Sequence, residues 1–345
     1  MSNIALSSAA VDDLPPAEVV DSARRVISSD GDVQLWGRER LKNKVHRLSF
    51  EAGGRRTSLV AKRLLPSRAR AVQLVAERWL PAAGLARACP SLRAVVRERG
   101  GGGVWHLYED VGGSELDCRS PDPARVELVV ELIAELHAGF TEHALLGECR
   151  AVGGDLGMGF FVSELASSIR HLRSLATDLS PGDVELTHRL LGRMERLYDQ
   201  REERTKLLAA SGDGDTLLHG DLWTTNTIVT ERGDRLLATL IDWDHAGVGP
   251  AAYDLSTFLF RFAPEHRAWI LGLYREAALR RGRRLPDVRT LNRLFETAEF
   301  ARYACCLAEA AAAAASGRRW GFEQMAEIEG WFCAWSSSAP PVASK

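Results

Sequence analysis

The sequence lacks most of what would mark a chain for an unusual environment. Its six cysteines (Cys89, Cys118, Cys149, Cys305, Cys306 and Cys333) form no C-x-x-C pair, and two are adjacent. Free thiols in a reducing cytosol are therefore expected rather than a disulfide framework. The opening segment, Met1 to Asp13, has no basic region followed by an apolar run, so no signal peptide is legible. The longest purely apolar stretch, Ala310–Ala315, is far short of the ~20 residues a membrane span needs. Neither sign of charge dominates: 44 Lys and Arg against 46 Asp and Glu leave a net charge of −2. That balance argues against a nucleic-acid partner bound through a broad basic surface. A cytoplasmic protein with no membrane and no nucleic-acid partner is the expectation. Nothing in the composition addresses the oligomeric state.

What is present is globular. Hydrophobic residues make up 46% of the 345 positions and charged residues 26%. That length suggests two domains or one large bilobal unit.

Texture divides the chain. Residues 14–29 read as a helix, with Pro15 and Pro16 at its start. Short β-like runs follow at Val33–Trp36, Val45–Phe50 and Thr57–Leu64, with Gly53–Gly54 as a hairpin turn. A helix over Arg68–Leu80, closed by Pro81, precedes strands at Arg93–Arg97 and Val104–Glu109. The glycines Gly100–Gly103 are followed by no helix start and no Lys-Ser/Thr, so they read as a hairpin connection rather than a phosphate loop. The Gly/Ser/Pro/Asp-rich passage Val111–Arg125 reads as a linker. Beyond it the period becomes helical. Val126, Val129, Val130, Ile133 and His137 lie on one stripe, and further helices are expected at 160–177 and 182–209. The charged stretch Arg201–Lys206 reads as a solvated face. Two strand-like pieces, Thr227–Thr230 and Leu236–Ile241, flank a turn at Gly233, and 251–336 is helix-rich. The residues after Trp335 read as a frayed tail. The expected division is 1–29 a helical extension, 30–111 a sheet-bearing lobe, 112–124 a hinge, 125–336 a helical lobe and 337–345 the tail.

The chemistry concentrates in His219-Gly220-Asp221-Leu222-Trp223-Thr224-Thr225-Asn226, an H-x-D-x-x-x-x-N pattern, followed by Ile241-Asp242-Trp243-Asp244 and Tyr253-Asp254. Asp221 lies in a loop after an apolar run, where its carboxylate can accept a proton from a hydroxyl. Asn226 enters one strand of the presumed hairpin and Asp242 leaves the other, so the two are placed to share a Mg²⁺, which favours one or two protein oxygens plus phosphate and water. A base, a metal and a bound nucleotide are what phosphoryl transfer requires.

These motifs resemble the aminoglycoside phosphotransferase family of small-molecule kinases, to which choline, fructosamine and macrolide kinases are related. The resemblance covers roughly residues 30–270. It implies an α+β, bilobal, protein-kinase-like fold with a small antiparallel-sheet N-lobe and a larger, mostly helical C-lobe. It implies ATP and Mg²⁺ as cofactors and a small-molecule hydroxyl as the acceptor. Asp221 would be the catalytic base, His219 the structural holder of its loop, Asn226 and Asp242 the metal ligands, and Asp254 a support of the same loop.

The N-terminal half gives an independent check. In Leu59-Val60-Ala61-Lys62-Arg63-Leu64, the period of two puts Lys62 on a face with Val60 and Leu64 and turns Arg63 toward solvent. A Lys so placed needs a partner or a phosphate. Glu77, the only acid between Lys62 and Glu98, is the candidate partner, although it lies off the apolar stripe of its helix. Glu109 and Val111, at the end of the last strand, resemble the family hinge, whose backbone meets the adenine edge. One departure stands out: no glycine occurs in Arg38–Val45, where the family often carries a glycine-containing nucleotide loop. His245 reads as a locally packed residue, and Trp223 either lines the acceptor pocket or packs in the core. Two other classes compete: a non-catalytic nucleotide-binding pseudokinase, and a metal-dependent phosphohydrolase using His219, Asp221, Asp242 and His245. The second leaves the strand lysine unexplained.

Overall fold

A computed structural model describes residues 14–28, 32–175 and 179–337. The expectations for Met1–Asp13 and for most of the tail lie outside the described residues. The chain forms two compact units: one holds the residues through Gly113 together with Thr239–Asp244, the other Ser114–Ala238 and the residues from His245 onward.

The first unit is built on an antiparallel sheet of β1 (Val33–Lys42), β2 (Val45–Ala52), β3 (Arg55–Leu64), β4 (Leu92–Arg97) and β5 (Val104–Glu109), in the order β1-β2-β3-β5-β4. Helix α1 (Ala17–Ile27) lies on this sheet, and its Val19, Val20 and Ala23 are buried with Leu48, Phe50, Leu59, Ala61, Trp105 and Leu107. Because strand side chains alternate, committing Leu59 and Ala61 to that core sends Val60 and Lys62 to the opposite face. β1 runs six residues past its expected end at Trp36. Its pairing with β2 continues to Lys42↔Val45 through a tight turn in which Lys44 takes a left-handed φ of 61°. Cross-strand hydrogen bonds thus override the weak strand propensity of the charged segment.

The helix expected over Arg68–Leu80 runs instead from Pro66 through Ala82, as α2 (Pro66–Leu74), a π-helical turn (Val75–Trp79) and α3 (Leu80–Ala82). Pro81 therefore does not close it. In the wider turn the Leu80 N–H reaches the Val75 carbonyl, and Pro81 falls in the first turn of α3, where a missing N–H is tolerated. Arg63 is also not a solvent residue: its guanidinium is paired with Glu98 at 2.5 Å.

The second unit starts with a short strand, β6 (Ser114–Glu115), inside the passage read as a linker. It then carries α4 (Pro123–Phe140), α5 (Leu146–Gly153), α6 (Met158–Arg173), α7 (Pro181–Asp199) and α8 (Arg201–Ser211). β7 (Asp215–Leu218), β8 (Thr227–Arg232), β9 (Arg235–Leu240) and β10 (Gly247–Pro250) follow. The last helices are α9 (Ala252–Leu259), α10 (Pro264–Arg280), α11 (Val288–Ala315) and α12 (Trp320–Ser337). β7 pairs antiparallel with β10, and β6, β8 and β9 form a second small sheet.

The stretch expected as one helix over 182–209 breaks at Gln200, and Arg204, read as solvated, is buried. Its guanidinium donates to Gln200, Thr297 and Glu296 and lies over Phe161 and Phe300, so burial is offset by a full set of partners. The core of this unit joins Phe161, Leu165, Met194, Leu307, Ile328 and Phe332 across α6, α7, α11 and α12. The alanine run of α11 is small for a reason: a Cβ at Gly321 of α12 would lie 2.5 Å from the Ala310 carbonyl, so the two helices touch backbone to backbone. Among the described residues, no helix is long and apolar enough to cross a membrane.

Candidate active site

The catalytic-loop motif occupies the connection between β7 and β8. Gly220 has φ +81°, and a Cβ there would come within 1.9 Å of the His245 carbonyl oxygen. Only glycine fits this point. The turn is held by Asp254, in the first turn of α9. One Asp254 oxygen accepts the His219 N–H at 2.7 Å and the other accepts the Gly220 N–H at 2.9 Å. His137 of α4 approaches the same carboxylate at 3.4 Å through Nε2 and meets the Tyr274 hydroxyl at 2.8 Å through Nδ1. Asp254, His137 and His219 are all fully buried. Burial alone would raise the Asp254 carboxyl, but the donors from His137 and the loop outweigh it and hold it below its ordinary value.

Beyond this clamp the loop presents Asp221, which is only partly buried. The Asn226 amide donates to the Asp221 backbone carbonyl at 2.8 Å and to its carboxylate at 3.3 Å. The Asp221 N–H lies 3.4 Å from His219 Nδ1. His219, Asp221, Asn226 and Asp254 are thus brought together within one unit. Sequence reasoning missed His137. It sat on the apolar stripe of α4 and was counted with the core, and the available signal was a lone histidine at a position where hydrocarbon belongs.

In the other unit, Lys62 stands on β3 directly opposite His106 of β5 and Val45 of β2. Its ammonium is held by Asp242 at 2.5 Å and by Asp244 at 2.6 Å. Burial alone would lower the lysine, yet the two carboxylates hold it above its ordinary value. The partner expected for it, Glu77, instead accepts from Gln73 at 2.9 Å on the exposed side of the helix. The π turn and the off-stripe position of Glu77 account for the exchange, and Asp244 is the acid the sequence reading overlooked. Asp242 has φ +68°, a conformation rare for a residue with a side chain and tolerated best by Asn and Asp. Val60 pairs with Tyr108, whose hydroxyl meets His106 Nδ1 at 3.0 Å. Burial, then the nearby lysine charge, pushes His106 down to about 4. Burial also raises the Tyr108 phenol well above its usual range.

Glu109 ends β5, and its side chain pairs with Arg93 at 3.2 Å. The intervening Asp110 is tied to Arg47 at 2.6 Å and to Ser58 at 2.7 Å, which fixes the segment leading to Val111.

With the geometry in place, the profile of the phosphotransferase enzyme family matches residues 41–290. The chain belongs to that family. No curated protein sequence matches it. Solved structures share the fold. An ethanolamine kinase from Plasmodium vivax aligns at a TM-score of 0.57 and 12% identity over 93% of this chain and 84% of its own. The macrolide 2'-phosphotransferase of Brachybacterium faecium aligns at 0.52 and 16% identity, covering 90% and 97%. A spectinomycin phosphotransferase, solved with ADP and spectinomycin, aligns at 0.52 and 11%, covering 88% and 93%. The phosphotransferase fold is therefore α+β and protein-kinase-like: a small unit on an antiparallel sheet and a larger helical unit.

Proposed function

We propose that this phosphotransferase moves the γ-phosphate of ATP to a hydroxyl of a small molecule. The observation that carries the reading is the β7–β8 loop, where a partly exposed Asp221 stands on a backbone clamped by the buried Asp254. A carboxylate so held can accept the hydroxyl proton as the oxygen attacks phosphorus and the bond to the leaving ADP breaks. His219 keeps the loop in register and takes no proton in this scheme. Lys62 is the cation for the nucleotide phosphates, with Val60, Glu109 and Val111 on the nucleotide side. Glu77, which accepts from Gln73 on the exposed side of its helix, has no part in this scheme.

Mg²⁺ is the metal that, by the chemistry of their side chains, we would assign to Asp242 and Asn226. Asp242 offers a carboxylate with 36% of its side chain exposed. The Asn226 amide nitrogen is committed to Asp221, which leaves its oxygen as the donor. Two hard oxygens suit that ion, which when bound neutralises phosphate charge. The same residues support catalysis over a purely nucleotide-binding role, because base, lysine and both oxygen donors are retained.

ADP release from Mg·ATP with a panel of hydroxylated small molecules tests the reading. Turnover with at least one acceptor is expected, and Asp221→Asn should abolish it while nucleotide binding persists. Nucleotide binding with no acceptor-dependent ADP release would favour the pseudokinase.

A further inference from the structure

One cation beside the proposed base has no work in the scheme above. Arg261 follows α9, and its guanidinium lies 3.8 Å over the ring of Trp223, two residues from Asp221. Its Nε is buried and has no hydrogen-bond partner. Buried donors are nearly always satisfied, and a cation lying on an aromatic face leaves its in-plane donors unused. The neighbouring charges do not complete it. Glu299, fully buried, is paired with Arg302, which also donates to the Ser256 hydroxyl and the Tyr253 carbonyl. Arg267 adds a further cation, donates to the Phe262 carbonyl and lies over Phe260. Burial lowers both Arg261 and Arg267; Arg302 lowers Arg261 further, and Arg261 in turn lowers Arg267. Arg261, Arg267 and Arg302 therefore face one buried acid, with Asp221 in electrostatic reach of Arg261 and Glu265 in reach of Arg267.

We propose that Arg261 recognises the acceptor, and that the acceptor is a hydroxylated small molecule bearing a carboxylate, set against the Trp223 ring. The proposal rests on Asp221 being the base. A guanidinium matches a carboxylate through parallel N–H donors, and satisfying the orphaned Nε requires the side chain to shift as the acceptor enters. A polycationic acceptor would instead bring like charge against Arg261 and Arg267, since Arg302 is already paired with Glu299.

Matched polyols test it: D-gluconate against D-glucamine, and D-glycerate against 3-amino-1,2-propanediol. Each pair differs in carboxylate versus ammonium. Equilibrium binding by calorimetry and ADP release are measured for wild type, Arg261→Gln and Arg261→Lys. Wild type should prefer the carboxylate member of a pair by roughly 10- to 100-fold, the scale of a charge-assisted hydrogen bond. Arg261→Gln should erase that preference, and Arg261→Lys should restore part of it. Retained Mg·ATP binding shows that the variants are folded. Preference for the amine, equal affinity within each pair, no binding of any carboxylate, or an unchanged preference in Arg261→Gln would each overturn the proposal. If carboxylates bind through Arg261 but no acceptor yields ADP, the phosphotransfer reading fails while the anion site stands.

Discussion

Asp254 and Asp242 are aspartates of the same signature, twelve positions apart, in opposite physical settings. Asp254 is fully buried, sits on a regular helix and accepts two backbone N–H groups. Asp242 is more than a third exposed, holds a left-handed backbone and shares its lysine with Asp244. The first arrangement satisfies every donor around it and leaves nothing for a ligand. The second leaves part of its carboxylate in solvent and sets it against a lysine that a second carboxylate also holds. The difference separates a residue that builds the loop from one that can handle a ligand.

The largest effect expected anywhere in the molecule tests the side of that divide on which Asp221 falls. Asp221→Asn removes a proton acceptor and keeps a side-chain oxygen that can still accept from the Asn226 amide. Acceptor-dependent ADP release should fall by roughly 10²- to 10⁴-fold, with little change in the urea midpoint. A large loss of stability would instead place Asp221 with the structural carboxylates. Next comes Asp254→Ala, which strands the His219 and Gly220 amides and His137 in the interior. Unfolding free energy should drop by about 3–5 kcal/mol, measured by urea titration. A drop below about 1 kcal/mol would mean that the loop finds other acceptors.

How much of this was legible follows the same line. Asp221, Asn226, Asp242 and Asp254 stand at short, fixed spacings in one segment, so the pattern itself announced them. The strand lysine was legible because a charge on an apolar face of period two needs a reason. What escaped depended on distant packing. His137 lies 117 positions from Asp254, and nothing local distinguishes it from the valines of its stripe. Asp244 reaches Lys62 across 182 positions, whereas the local logic of strand and following helix pointed to Glu77. The π turn before Pro81 and the burial of Arg204 were also decided by tertiary partners.

Acidification should distinguish the two units. His106 titrates near 4 in the folded chain against an ordinary 6.5, so between those values the unfolded state binds more protons. Stability is then full above about pH 6.5 and declines as pH falls toward 4, by up to about 3 kcal/mol. Asp254 is lowered from 3.8, so its contribution is full above about pH 4 and is lost only as pH falls through its depressed folded value. Urea titrations from pH 7 to 3 should show the upper decline flattened in His106→Gln and the lower one in Asp254→Asn. Hydrogen exchange at pH 5 should loosen β5 of the first unit before α9 of the second. A wild-type slope retained between pH 6.5 and 4 in His106→Gln would place that proton elsewhere.

The smallest stability effect closes the comparison. Asp242→Asn removes the same charge as Asp254→Asn, but from a carboxylate open to solvent, and it leaves Lys62 on Asp244. Asparagine also tolerates the left-handed backbone at φ +68°, so no strain is added. The unfolding free energy should change by under about 1 kcal/mol, because the lysine keeps a carboxylate partner in Asp244. Mg²⁺-dependent nucleotide binding, followed by calorimetry with and without the metal, should nonetheless weaken at least tenfold. The double variant Asp242→Asn/Asp244→Asn leaves the lysine buried without a carboxylate and should cost several times more stability than the single change. If Asp242→Asn alone destabilises as much as Asp254→Asn while nucleotide binding survives, Asp242 belongs to the scaffold, and the division drawn between the two aspartates is wrong.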